Sequence, residues 1–397
     1  MGKLSLCCVA LLALAACESP TSSSVDASVT SDDSGTVIPP NCGDGTLDSD
    51  EECDDGNDNR FDGCRNNCTA VAPIQPPAMT WQYFEIPGTK CIDGTPAGFA
   101  TNYNPSSTKV VIYLEAGGAC FNSFCESLHH PMADNIPANG GIFDRANTAN
   151  PLRDWTWVYV PYCSGDVYAG QAETMLGGKL RYFYGYSNIT AFLERLVPAF
   201  TADQVLLTGS SAGGFGSSLN FPQVQRAYGS VPVVLIDDSA PPMSTDVYPP
   251  CLQKIWRTVW GLEKTVLAEC GSDCDDPDGF GEDFVTHIRS KFPTMKGGLY
   301  STLSDSTIRT FAGYGWTNGY NMCGEVSTAV TSTVYQAGLD EFRTAMQATP
   351  GFGTFYIAGT SHTRLRATTF YSTQVGSTTL PQWIGNVLAG NPAHVGP

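Results

Sequence analysis

Positive charge is scarce in this chain. Only 21 of its 397 residues are Lys or Arg, against 39 Asp or Glu, giving a formal net charge of −18. Nucleic acid is thereby excluded as a partner, because its binding needs a basic surface. A polyanionic substrate would likewise be repelled unless a local basic patch intervened. Long apolar runs are also missing: the stretch from Leu4 to Ala16 has 13 residues, too few to span a bilayer. Histidine is rarer still, with five positions: His129, His130, His287, His362 and His394. Any chemistry that needs an imidazole must use one of these.

The apolar run at the start is instead right for an export signal, with Lys3 as its positive charge. It ends Leu14-Ala15-Ala16-Cys17, which resembles the bacterial lipobox. Residues 1–17 are therefore expected to be a lipoprotein signal, with Cys17 as the lipidated residue. A lipid anchor there would hold the exported protein on a membrane, at an outer membrane or the cell surface. Residues 18–40 are rich in Ser, Thr and Asp and cannot form a core, so they read as a disordered tether. Residues 41–70 hold Cys42, Cys53, Cys64 and Cys68 among Gly, Asp and Asn, and resemble the Cys-rich repeat of exported myxobacterial proteins. Two disulfides would replace the core this segment lacks, and three pairings are open. The clustered Asp54, Asp55, Asp58 and Asp62 are expected ligands for a structural calcium ion, although their spacing is not that of an EF-hand.

The remainder, residues 74–397, is expected to be one catalytic-size domain. With 42% hydrophobic residues, a sizeable core is available. Short apolar runs at Val110–Leu114, Trp157–Val160, Val205–Thr208, Val231–Ile236, Leu299–Leu303 and Phe355–Ala358 read as buried strands. Between them, Ile189, Phe192, Leu193, Leu196 and Val197 follow helical spacing, with Ser187 placed as a cap. Ile255, Val259, Leu262 and Val266 suit another helix, and Leu339, Phe342 and Met346 a third. This alternation predicts a three-layer α/β sandwich around a mostly parallel sheet. Eight further Cys suggest four disulfides. Cys120 with Cys125 and Cys270 with Cys274 would close short loops; Cys91 with Cys163 and Cys251 with Cys323 are the expected remainder.

One turn carries chemistry. Val205-Leu206-Leu207-Thr208 runs into Gly209-Ser210-Ser211-Ala212-Gly213-Gly214, the pattern of a strand-to-helix nucleophile elbow. Ser211 is then the nucleophile of an acyl-transfer reaction. Its hydroxyl needs a base, and in this architecture the chain order is Ser, acid, His. His129 and His130 precede the Ser, His287 sits in an apparent amphipathic helix, and His394 lies in a Gly/Pro-rich tail. His362 follows the last strand in a loop, where a base belongs. For the acid, Asp305 after the Leu299–Leu303 strand is favoured by placement, with Asp237 and Asp238 as alternatives. The backbone N–H of Ala212 is one expected oxyanion donor. Gly117 and Gly118, in a Gly-rich loop after Val110–Leu114, would supply the other. No metal is required.

Leu114-Glu115-Ala116-Gly117-Gly118-Ala119-Cys120, Pro161-Tyr162-Cys163-Ser164-Gly165-Asp166 and the elbow occur in the order seen in the pectin acetylesterase/Notum family. Cys91-Ile92-Asp93-Gly94 also matches that family's N-terminal segment. The resemblance covers residues 90–362. It implies an α/β-hydrolase-like fold, metal-independent carboxylic ester hydrolysis, a Ser211–His362–Asp305 triad, and oxyanion donors at Gly117, Gly118 and Ala212. The substrate would be an acylated small molecule, glycan or protein. Ala116 and Ala119 stand where plant members of the family have Gly and Trp, leaving a smaller wall beside the oxyanion loop. A serine peptidase and an inactive glycan-binding module are the alternatives on the same fold.

Overall fold

The computed structural model describes residues 38–122, 136, 140–276, 278–316 and 323–397. Cys17, the tether up to residue 37, Cys125, His129 and His130 lie outside the described residues.

The Cys-rich segment is closed by two nested disulfides, Cys42–Cys68 around Cys53–Cys64. Asp54 organises its interior. Its two carboxylate oxygens accept the N–H groups of Gly43, Asp44, Gly45 and Gly56 at 2.9–3.2 Å. Desolvation opposes its ionisation, but these four donors hold the carboxyl below its usual range. The segment docks on the rest of the chain through charge. Arg60 and Arg65 both reach Glu194, at 2.5 and 2.8 Å, and Glu194 is buried to 1% exposure.

The main sheet has nine strands. They are β1 (Trp81–Glu85), β2 (Gly98–Asn102), β3 (Lys109–Leu114) and β4 (Thr156–Val160), then β7 (Gln204–Ser210), β8 (Val233–Asp238), β9 (Lys296–Thr302), β10 (Phe352–Ile357) and β13 (His394–Val395). A hairpin of β5 (Ala172–Leu176) and β6 (Lys179–Phe183), and a smaller one of β11 (Gln374–Val375) and β12 (Thr378–Thr379), stand apart. The sheet order is β1-β2-β4-β3-β7-β8-β9-β10-β13, antiparallel only at the β1–β2 and β2–β4 pairs. Alternating side chains feed two cores, as a pleated strand buried on both faces must. Val110, Ile112 and Leu114 of β3 join one core with residues of α1 (Gly185–Leu196) and α2 (Ala212–Ala227). Val111 and Tyr113 join the other, with Trp383 and Ile384 of α8 (Leu380–Leu388). This is the three-layer α/β-hydrolase-like arrangement expected from the sequence.

The remaining helices are α3 (Pro250–Trp260), α4 (Val266–Cys270), α5 (Gly281–Lys291), α6 (Ser306–Ala312) and α7 (Ser332–Met346). Three local expectations need correction. Ser187 lies inside α1, whose N-cap is Tyr184 without a side-chain bond. The helix read through Ile255 to Val266 breaks at Gly261, which takes the left-handed conformation (φ 67°, ψ 43°) that glycine adopts at low cost. The tail holding His394 is paired: His394 and Val395 add a parallel strand to β10.

The disulfides Cys91–Cys163, Cys251–Cys323 and Cys270–Cys274 form as expected. Cys120 is also disulfide-bonded. Among the described residues, no helix is long and apolar enough to cross a membrane.

Candidate active site

β7 ends at Ser210 and α2 begins at Ala212, so Ser211 alone turns the chain. Its backbone has φ 57° and ψ −121°, a conformation that costs an L-residue on the order of 1–3 kcal/mol. Neighbouring bonds hold it there. The Ser211 N–H donates to the Asp238 carbonyl at 2.9 Å, and its own carbonyl accepts from Gly214 and Phe215. Glycine is needed at the next turn because α2 presses on β3. A Cβ on Gly213 would lie 2.0 Å from the Leu114 carbonyl oxygen.

His362 lies on the loop after β10, and the loop is sewn down on both sides of it. Before it, the carbonyls of Gly359, Thr360 and Ser361 accept from Ser304, Ser306 and Thr302 at 2.8–3.1 Å. After it, the Thr363 N–H donates to Ser239 Oγ at 3.2 Å. The N–H groups of Arg364 and Leu365 then donate to the Asp238 carboxylate at 2.9–3.0 Å. The ring is thereby presented to Asp305. His362 Nδ1 is 2.8 Å from Asp305 Oδ2, and Asp305 is fully buried. The other oxygen, Oδ1, accepts the N–H groups of Thr307 and Ile308 as the N-cap of α6. On the far side of the ring, Nε2 is buried without a hydrogen-bond partner among the described residues.

The other two carboxylates of interest are committed elsewhere. Asp238 also accepts from Ser210 Oγ at 2.6 Å and from Ser239 Oγ at 3.1 Å. Asp237 accepts from Ser218 Oγ at 3.0 Å and from the Ala240 N–H at 2.9 Å. Burial pushes both carboxyls up, Asp237 to about 7. Asp238 thus binds Ser211 through its main chain and the His362 loop through its side chain. Sequence reasoning missed this role, as it did the Tyr113 hydroxyl, which donates to Ser210 Oγ at 3.0 Å. The adjacent Asp237-Asp238-Ser239, directly after a buried strand, was the available signal. His287 pairs with Asp273 at 2.8 Å and His394 with Thr354 at 3.1 Å, so neither approaches Asp305 in this way.

The loop after β3 lies beside the elbow. Glu115 Oε2 accepts the Tyr162 N–H at 3.0 Å, and Oε1 is 3.6 Å from Arg366. A Cβ on Gly117 would lie 2.0 Å from the Tyr162 ring, so only glycine lets this loop rest there. Gly118 is exposed and Ala212 buried at the head of α2, whose first N–H groups have no acceptor within the helix. One turn into α2, Phe215 joins Tyr248, Trp256 and Phe311 in an aromatic cluster with ring centroids 5.1–6.3 Å apart. The cavity among these rings is about 20 Å3. Among the described residues, the one grouping of metal-ligating types is Cys42, Glu51 and Cys68, and the two Cys are bonded to each other.

Residues 79–265 match the family model described as pectinacetylesterase. Residues 33–69 match one described as a domain of unknown function, DUF4215. Over 173 residues the chain is 32% identical to the palmitoleoyl-protein carboxylesterase NOTUM of Schmidtea mediterranea, covering 37% of this chain and 31% of that one. With the NOTUM of Mus musculus the identity is 31% over 167 residues, 38% of this chain and 33% of the relative. A Danio rerio protein named inactive palmitoleoyl-protein carboxylesterase notum1b is 33% identical over 105 residues, 23% of this chain and 73% of the relative.

The chain belongs to the pectin acetylesterase/Notum family.

The matches span about a third of the length of the first of these relatives. The pectinacetylesterase match contains Gly117, Ser211 and Asp238 but stops before Asp305 and His362. The pairing of those two is therefore a finding of the geometry.

Proposed function

We propose that this protein is an exported serine carboxylic ester hydrolase, with Ser211, His362 and Asp305 as its triad. The observation that carries the reading is the state of His362. One ring nitrogen is 2.8 Å from a buried carboxylate, and the other is buried and unpartnered. Asp305 fixes the tautomer with the proton on Nδ1, so that Nε2 is the base. Nε2 takes the Ser211 proton as Oγ attacks the acyl carbon. The resulting oxyanion accepts from the N–H of Ala212 and from Gly117 and Gly118. The alcohol leaves with the proton from Nε2, and water then cleaves the acyl-enzyme by the same route. Each oxyanion donor is worth about 3 kcal/mol of transition-state stabilisation. No metal takes part.

A relative named inactive shows that family membership alone does not carry activity. Retention of Ser, His and acid together supports activity here. An acyl group lodged among the rings of Phe215, Tyr248, Trp256 and Phe311 would be short, since they leave room for about one water. The names of the relatives, carboxylesterase and pectinacetylesterase, support an ester of a glycan or protein. The disulfides support an oxidising compartment, and Cys17 is read as the lipid anchor to a membrane. Structural calcium is kept as a reading for Asp55, Asp58 and Asp62, since Asp54 is occupied by backbone donors. Desolvation and the neighbouring Asp62 push the Asp55 carboxyl up, a strain a divalent ion would relieve. A rise in melting temperature with calcium, lost in Asp62→Asn, would support that ion.

The central test is fluorophosphonate labelling together with p-nitrophenyl acetate hydrolysis. Both should vanish in Ser211→Ala. Labelling and turnover that survive in that variant would overturn the proposal.

A further inference from the structure

A larger cavity, about 470 Å3 and in the size range of small-ligand sites, lies between α7 and the segments at residues 245–250 and 315–316. It is lined by Trp316, Pro249, Pro250 and Ala337, with the carboxylates of Asp246 and Glu341. Trp316 is 43% exposed, yet its ring is held. Its Nε1 donates to the Val247 carbonyl at 3.1 Å, which fixes the ring where it lines the cavity. Glu341 is likewise oriented, accepting from Ser244 Oγ at 2.9 Å.

Contacts along α7 connect the cavity to the segment ahead of Asp305. One wall is the N-terminal half of α7, with Val334, Ala337, Gly338 and Glu341. Its Ser332 Oγ is 2.6 Å from the Oγ of Ser304, the residue before Asp305, and Val334 lines the cavity. Another wall is Thr245, Asp246, Pro249 and Pro250, on the stretch that joins β8 to α3.

The chemistry selects a ligand. A fixed indole face with proline walls suits the C–H face of a pyranose ring, and carboxylates beside it accept ring hydroxyls. No cationic side chain is among the described residues lining the cavity, so a uronate or sulfated sugar finds no counter-charge there and meets two carboxylates. We propose that this cavity is a subsite for an uncharged sugar ring of an acylated glycan, holding the chain that carries the ester cleaved at Ser211. The ester part rests on the esterase reading; the sugar-binding part does not.

The test separates the two. The Ser211→Ala protein is run through gels containing acetylated xylan, galactomannan or polygalacturonate. Retardation is expected on the neutral glycans, about tenfold weaker when Trp316→Ala is added and intermediate with Trp316→Phe. On the Ser211 background, Trp316→Ala should raise KM for acetylated xylan about tenfold while leaving p-nitrophenyl acetate turnover intact. Trp316-dependent retardation in a protein that hydrolyses no ester would sink the esterase reading and leave the sugar site standing. The sugar site is overturned by retardation indifferent to Trp316, by none on neutral glycans, by stronger retardation on polygalacturonate, or by displacement of the glycan by a basic peptide alone.

Discussion

The carboxylate of Asp238 accepts the backbone N–H of Leu365 at 2.9 Å, while the ring of His362, three residues earlier, belongs to Asp305. Two buried acids, one ending β8 and one on the turn after β9, thus divide the work of one loop, one holding its backbone and the other its imidazole. Asp305→Asn should lower kcat by on the order of 10⁴, the loss seen when a triad acid can no longer fix the tautomer. Asp238→Asn should lower kcat less, because the ring keeps its own partner. Steady-state kinetics on p-nitrophenyl acetate decide this. Intact activity in Asp305→Asn with none in Asp238→Asn would reverse the assignment.

Gly213→Ala should be disruptive out of proportion to one methyl group. The added Cβ would sit 2.0 Å from the Leu114 carbonyl, a backbone atom that cannot swing away. Separation of α2 from β3 would also displace the N–H of Ala212. The expected result is a loss of at least about 2 kcal/mol in denaturant unfolding, with a drop in kcat.

The carboxyl of Asp237 is raised by burial from 3.8 to about 7. Across that window the folded protein holds a proton that the unfolded chain has released, so stability falls as pH rises from about 4 to about 7. Asp237→Asn mimics the protonated form. Its melting temperature should vary less over that range than that of the parent, and an unchanged slope would refute the assignment.

Acyl length offers a fourth check. With about 20 Å3 between Phe215, Tyr248, Trp256 and Phe311, a long chain has no ready channel there. The ratio kcat/KM should fall steadily from acetate to octanoate p-nitrophenyl esters. Trp256→Ala should soften that fall.

Glu194 is buried between two arginines of the Cys-rich segment. Glu194→Gln should cost about 2 kcal/mol, the worth of bonds to a charged group. Proteolysis between residues 70 and 80 should accelerate while ester turnover is kept. Unchanged proteolysis would mean that the docking is held by other contacts.

Much of this was legible in the sequence because it is local. The elbow needs small residues around Ser211, and the strands around it are continuous apolar runs. His362 follows from a short supply of histidine and a rule of chain order. What was not legible depends on contacts between distant segments. The antiparallel β1 and β2, the β5–β6 hairpin and the paired tail at His394 are short, half-buried or partnered only at the edge, so period alone does not mark them. Asp237, Asp238 and Asp305 look alike as acids after strands. Only the packing shows that Leu365 takes one, Ala240 another and His362 the third.

The nested bridges of the Cys-rich segment have a mechanical consequence. Tension applied to the chain ahead of Cys42 crosses the sulfur bridge to Cys68 and continues along the backbone, so the 25 residues between them carry no load and pay out no length. The arginines at 60 and 65 lie within that bypassed loop. Pulling on the chain ahead of Cys42 would therefore not draw that loop out and strip its arginines from Glu194 by unravelling.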